Sequence, residues 1–308
     1  MKAIMYHYVR RFDPRYPHFR FLDIEHFRKQ LDYLEATFGF ASRRDWYSMI
    51  KGEQVSEPKK VILTFDDAMC CHYDFVFHEL KNRNLFGIFF VPTAPYRENI
   101  LLDVHRIHHL CGVIDGQKLL SVATALIEPF MISDSKREDF SKETYQKQSN
   151  YEGVSTFKRL LNYFVDYTYR SEIIDNITRF LKIELPKSEF YVSRENLRQM
   201  KRSGMIIGSH TDSHPVMSKL PLDEQITEIE LSFEVLESIV GSDDMRAYCH
   251  PYGGFHSFDR NTLAALRQGN VDYAFNVESR DINNDDFIQG RLQLPRYDCN
   301  EFKFGVAS

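Results

Sequence analysis

The chain has 308 residues, 43% of them hydrophobic and 27% charged, with a formal net charge of -5. That apolar share sustains a sizeable core and excludes a disordered chain, and the mildly acidic balance leaves no electrostatic footprint for nucleic acid. Five cysteines without a CxxC spacing argue against a disulfide framework or a thiolate zinc site.

In chain order, KAIMYHYV (Lys2–Val9) is short and rich in β-formers, which predicts a first strand. The opening MKAIMYHYVRR has no apolar leader, and no run approaches the ~18 apolar residues of a membrane span, so a cytoplasmic protein is expected. DIEHFRKQLDYLEATFGF spaces Phe27, Leu31 and Leu34 as a helix does, behind an acidic first turn. KKVILTF is the second strand, HYDFVFHELKNRN a helix, and FGIFFVP a third strand closed by Pro92. Strands alternating with helices predict a parallel sheet with crossover helices.

From about residue 96 to 193 the periodicity is mainly helical, which predicts an insertion in one parent domain spanning 1–308. Within it SDSKREDFSKETYQKQSNYEG is polar and reads as a loop or lid. The strand–helix rhythm returns with the helix RENLRQMKRSG, ending at Gly204, and the strand MIIGSH. The helix DEQITEIELSFEVLESIVG, the strands RAYCH and DYAFNV, and LQLPRYD complete the series.

Chemistry concentrates at two predicted strand ends. VILTFDDA places Asp66 and Asp67 side by side where a buried strand stops, and two adjacent carboxylates need a compensating cation. GSHTDSHP follows the strand MII and spaces His210 and His214 as i, i+4, which puts both imidazoles on one face of a helical turn. Two imidazoles and one carboxylate form a common catalytic zinc set. The second carboxylate is then free to act as general base on water that the cation acidifies.

LTFDDA and SHTDSH resemble two motifs of the polysaccharide deacetylase family, also called carbohydrate esterase family 4 or the nodulation-factor deacetylase homology domain. IMYHYV, FRKQLDYLEATFGF and CHPYGG add to the likeness, which spans most of the chain outside the insertion. It implies a distorted, incomplete (β/α) barrel and a zinc-dependent hydrolase that removes an N-acyl group, typically N-acetyl, from an amino sugar. It further implies Asp66 as general base, Asp67, His210 and His214 as ligands of a divalent metal, and Tyr252 as the oxyanion N–H donor. A nucleotide-sugar or lipid-linked glycan precursor of cell-envelope or O-antigen type is the expected substrate, bound by His7, His250, Pro251, Tyr252 and Arg296.

Three departures qualify the likeness. The family usually writes TFDDG, and Ala68 in that place is strained if its φ is positive. The arginine many members carry before the Pro-Tyr pair is absent, with Cys249 and His250 there instead. The usual C-terminal Leu-x-His reads Leu294-Pro295-Arg296, and a guanidinium cannot serve as proton donor at neutral pH. Arg296 is therefore expected to pair with Asp66 or a substrate carboxylate, and the proton donor stays open between His250, His7 and water at the metal.

Rival readings stand beside this one. His105, His108 and His109 have helical ligand spacing, but no carboxylate-bearing strand end supports them beyond Asp103, so they read as an ordinary or substrate-facing helix face. Cys70 and Cys71 read as small packing residues, and SRDINNDDFIQG as a solvated loop. A catalytically inactive carbohydrate-binding protein and a metal-dependent phosphoester hydrolase remain as alternatives.

Overall fold

A computed structural model describes residues 1–53, 60–132, 140–142, 144, 152–185 and 190–307. The loop or lid expected over 133–153 falls mostly outside them. The described residues form two compact units. The first comprises Met1–Arg11, Phe21–Asn99 and Glu189–Ser308, and the second Phe12–Arg20 and Ile100–Ser188.

The first unit is built on seven parallel strands. In chain order they are β1 (Lys2–Tyr6), β4 (Val61–Asp66), β5 (Ile88–Val91), β6 (Ile206–Ser209), β7 (Ala247–Cys249), β8 (Tyr273–Phe275) and β9 (Tyr297–Asp298). They lie side by side in the order β8-β7-β6-β5-β4-β1-β9. A separate parallel pair, β2 (Val9–Arg10) and β3 (Leu22–Asp23), takes the chain that leaves β1. The single strand expected over Lys2–Val9 is thus split, because pairing with β4 stops at Tyr6.

Continuous apolar runs such as VILTF and IFFV make sense here because both faces of the sheet are covered. Leu63, Phe65, Phe89 and Ile207 pack against the helices Ile24–Thr37 and Arg194–Arg202. Alternate residues, Ile62, Ile88, Phe90, Ile206 and Phe275, face a second core closed by Trp46. Trp46 stacks on Phe275 at 5.7 Å from the helix Arg43–Ile50, whose capping box of Ser42 and Asp45 is its local signal.

The curled sheet nearly closes. Leu294 bridges Phe275 of β8, while Tyr297 and Asp298 pair with Ile4 and Met5 of β1. The stretch Leu294–Asp298 therefore spans the gap, and the architecture is the expected distorted, incomplete (β/α) barrel. The second unit is helical, with Leu110, Leu119, Phe157, Leu161 and Ile174 in its own core. Relative to the expected insertion over 96–193, it adds Phe12–Arg20 and leaves 96–99 and 190–193 with the sheet. None of the described helices is long and apolar enough to cross a membrane.

Candidate metal centre and active site

Parallel strands deliver their C-terminal ends to one rim, and the chemistry collects there. Asp66 ends β4, and His7, His210 and His250 lie just past β1, β6 and β7. Three separate turns then bend the chain with left-handed residues: Asp67 (φ 80) and Ala68 (φ 50), Thr211 (φ 65) and His214 (φ 58), and Tyr252 (φ 63). Ala68 thus takes the strained conformation. Such clustering of left-handed non-glycine residues marks sites where geometry is held at a cost.

The two histidines meet differently from the expected helical turn. No helix forms over residues 210–214, where an irregular turn takes its place. Thr211 Oγ1 accepts the His214 backbone N–H at 3.0 Å, and the two rings stand 4.7 Å apart and nearly perpendicular. Asp212, between them, is buried and accepts from Thr93 Oγ1 at 2.7 Å and from Arg97. The Glu228 carboxylate takes the N–H groups of Asp212 and Ser213.

Asp67 Oδ1 lies 3.6 Å from His210 Nε2 and 3.3 Å from His214 Nε2, and all three side chains are buried. Their ligand atoms fall within 4.8 Å of one another. His210 Nδ1 donates to the Cys249 carbonyl at 2.8 Å, which leaves Nε2 as the unprotonated nitrogen on the Asp67 side. Burial lowers the His210 pKa, keeping the imidazole in its neutral, ligating form. One oxygen and two imidazole nitrogens suit zinc and the neighbouring divalent metals, so these residues fit the expected cation.

Asp66 faces another partner. Arg296 is fully buried and grips both its oxygens, Nη1 to Oδ1 at 2.8 Å and Nη2 to Oδ2 at 2.9 Å. The remaining donors go to Thr64 Oγ1 (3.0 Å), Cys249 Sγ (2.9 Å) and the Asn276 carbonyl (3.0 Å), so every guanidinium N–H is used. Burial alone would raise the Asp66 pKa; the Arg296 charge overrides it and brings it to about 2. Asp66, His210 and Cys249 also form a three-donor group within 4.8 Å, but Arg296 already supplies its positive charge.

The other expected residues divide. The His7 side chain is 39% exposed, and its Nε2 lies 4.0 Å from Asp67 Oδ2. His250 is packed away: Nε2 donates to the Leu292 carbonyl at 2.8 Å, and the ring stacks on Phe258 at 3.8 Å. Burial lowers its pKa to about 3, so it carries a single, committed proton. Pro251 is buried, and the Tyr252 ring stands 5.0 Å from that of His214. His105, His108 and His109 lie on the helix Asp103–Val113 of the second unit and join no metal-holding group among the described residues. Thr64, Thr93, Arg97, Glu228 and Cys249 were missed as site residues; a polar threonine inside VILTF was the one local signal.

Gly253 (φ 70) makes the Tyr252 turn possible, since a Cβ there would lie 2.3 Å from Val277 Cγ2. Gly253→Ala should destabilise the protein by ~3 kcal/mol, summing left-handed strain and overpacking. A urea melt checks this, and an unchanged midpoint would contradict it.

The polysaccharide deacetylase family model matches residues 164–274, which include His210, His214 and CHPYGG. No curated protein matches the chain. The Streptococcus pyogenes deacetylase PplD, solved in complex with acetate, superposes with a TM-score of 0.60 at 16% identity, over 97% of this chain and 91% of that one. A de-N-acetylase from Aggregatibacter actinomycetemcomitans gives 0.53 at 14% identity, over 96% and 93%. IcaB from Ammonifex degensii gives 0.51 at 17%, over 89% and 82%. At these identities the structures speak for the shared fold. The family match over residues 164–274 and the barrel are what this chain shares with polysaccharide deacetylases.

Proposed function

We propose that the protein is a divalent-metal-dependent N-deacetylase acting on an N-acetylated amino sugar of a polysaccharide or its nucleotide- or lipid-linked precursor. One observation carries this reading: a buried Asp67–His210–His214 donor set adjoins a second carboxylate, Asp66, that has its own cation in Arg296. A divalent metal bound to those donors, zinc first, would supply Lewis acidity, making water a better nucleophile and the amide carbonyl a better electrophile.

The chain's own residues do the rest. Asp66, ionised at any working pH, takes the proton of the attacking water. Tyr252, in its left-handed turn, is assigned the N–H that meets the developing oxyanion. His7 returns a proton to the leaving amine. Its imidazole is the one candidate both partly exposed and next to Asp67, whereas His250 has its proton committed.

The test is elemental analysis followed by acetate release. Purified protein should carry about one equivalent of divalent metal and liberate acetate from N-acetylglucosamine oligomers or UDP-N-acetylglucosamine, the better substrate fixing the class. Chelation should abolish activity, and added zinc should restore it. A metal-free, inert protein would favour the carbohydrate-binding alternative, and phosphate release without acetate the phosphoesterase.

A further inference from the structure

β1 stops pairing with β4 at Tyr6, and the chain peels away to build β2. At the parting point the His7 carbonyl is met by His72 Nε2 at 2.6 Å. A carbonyl can only accept, so Nε2 carries the proton. His72 is fully buried, and its ring lies 5.7 Å from that of Phe65 and 5.9 Å from that of Phe89. Its Nδ1 has no hydrogen-bond partner among the described residues. A buried imidazole with one unsatisfied nitrogen is a costly way to fill aromatic space, which phenylalanine would fill better. Its one hydrogen bond among the described residues is to the backbone of the residue whose side chain reaches Asp67. His72 also opens a π-helical turn, His72–Phe77, five residues past Asp67, and such turns recur at functional sites.

We infer that His72 is a positioning residue: by holding the His7 carbonyl where β1 leaves the sheet, it sets the His7 imidazole against Asp67 for proton delivery to the leaving group. This rests on the deacetylase reading, in which His7 protonates the leaving amine. A structural role alone would lower every activity together. A positioning role lowers only the reaction that needs the proton.

The test pairs an amide, tetra-N-acetylchitotetraose, with an ester, 4-nitrophenyl acetate, whose leaving group departs without protonation. In the metal-loaded enzyme His72→Phe should lower amide kcat by roughly 10- to 100-fold, the scale of a misplaced catalytic group. KM, metal content and ester turnover should stay within about 3-fold. His72→Gln, whose Nε2 can replace the ring donor, should recover most of the amide rate. His7→Ala should lower amide kcat by roughly 10²- to 10⁴-fold, and His72→Phe should add nothing in that background.

An equal fall on both substrates, loss of metal, a wild-type amide rate in His72→Phe, or a further loss on top of His7→Ala each overturns the inference. A His7→Ala variant that keeps its amide rate overturns instead the assignment of His7. If the wild-type protein cleaves neither probe, the functional reading fails, and the positioning is judged from the crystal structure of His72→Phe. There the His7 Nε2 to Asp67 Oδ2 separation should open beyond 4.0 Å, and an unchanged distance refutes it.

Discussion

Arg296→Met should unfold the metal-free protein ~3 to 5 kcal/mol more easily than wild type and lower deacetylase kcat by at least ~10²-fold. The guanidinium is fully buried and spends all its donors on Asp66, Thr64, Cys249 and Asn276. Methionine matches its bulk but leaves a buried carboxylate without a counter-charge, and breaking one side of such a pair costs this much. Arg296→Lys keeps the charge, yet one ammonium cannot reproduce a planar fork on two carboxylate oxygens, so it should fall between the two. The pair also fixes a pH dependence. The Asp66 pKa is about 2 against an ordinary 3.8, so its contribution is complete above about pH 4 and fades as pH falls towards 2. By linkage that contribution is ~2 kcal/mol. In metal-free protein the stability gap between wild type and Asp66→Asn should shrink by about that amount between pH 5 and pH 2. Urea melts at the two pH values measure it, and a constant gap would show that Asp66 is not held by Arg296.

The rim of the barrel was largely legible from the sequence, its closure was not. VILTFDD announced itself, because a buried strand ending in two carboxylates has few ordinary explanations. HTDSH was legible as a spacing but misleading as a conformation. Its two histidines converge through left-handed Thr211 and His214, and local propensity predicts neither for non-glycine residues. Arg296 posed the opposite difficulty. Its oddity at the usual histidine position was visible, but its grip on Asp66 spans 230 residues of sequence and depends on Leu294–Asp298 bridging β8 to β1. His72 left no sequence trace of its task, since a histidine in a helix-like run reads as one more helix position. Glu228 lies on the helix Leu222–Val240, where an acid is ordinary, and only the fold turns it towards the Asp212 and Ser213 amides. What escaped was long-range pairing and backbone strain, both consequences of tertiary closure.

Two adjacent aspartates invite the view that either can replace the other, and the geometry predicts the reverse. Asp66→Asn should lower kcat by roughly 10³-fold or more while the protein still binds about one equivalent of metal, because Asp67, His210 and His214 are untouched. Asparagine preserves size and can still accept from Arg296, but a neutral amide cannot take a proton from water, and general-base catalysis contributes on that order. Asp67→Asn should fail earlier. Its Oδ1 is the oxygen nearest both imidazoles, at 3.3 and 3.6 Å, and a neutral amide in that place weakens the hold on a divalent cation. Metal affinity should then drop by at least ~10²-fold, with partial recovery of turnover at high zinc that Asp66→Asn never shows. Titration calorimetry with zinc and acetate release on the same preparations separate the two. If both variants lose metal equally, Asp66 is a ligand and Arg296 its competitor, and the division of labour between base and ligand is wrong. If Asp66→Asn keeps both metal and rate, the base lies elsewhere and the buried fork with Arg296 is architecture alone.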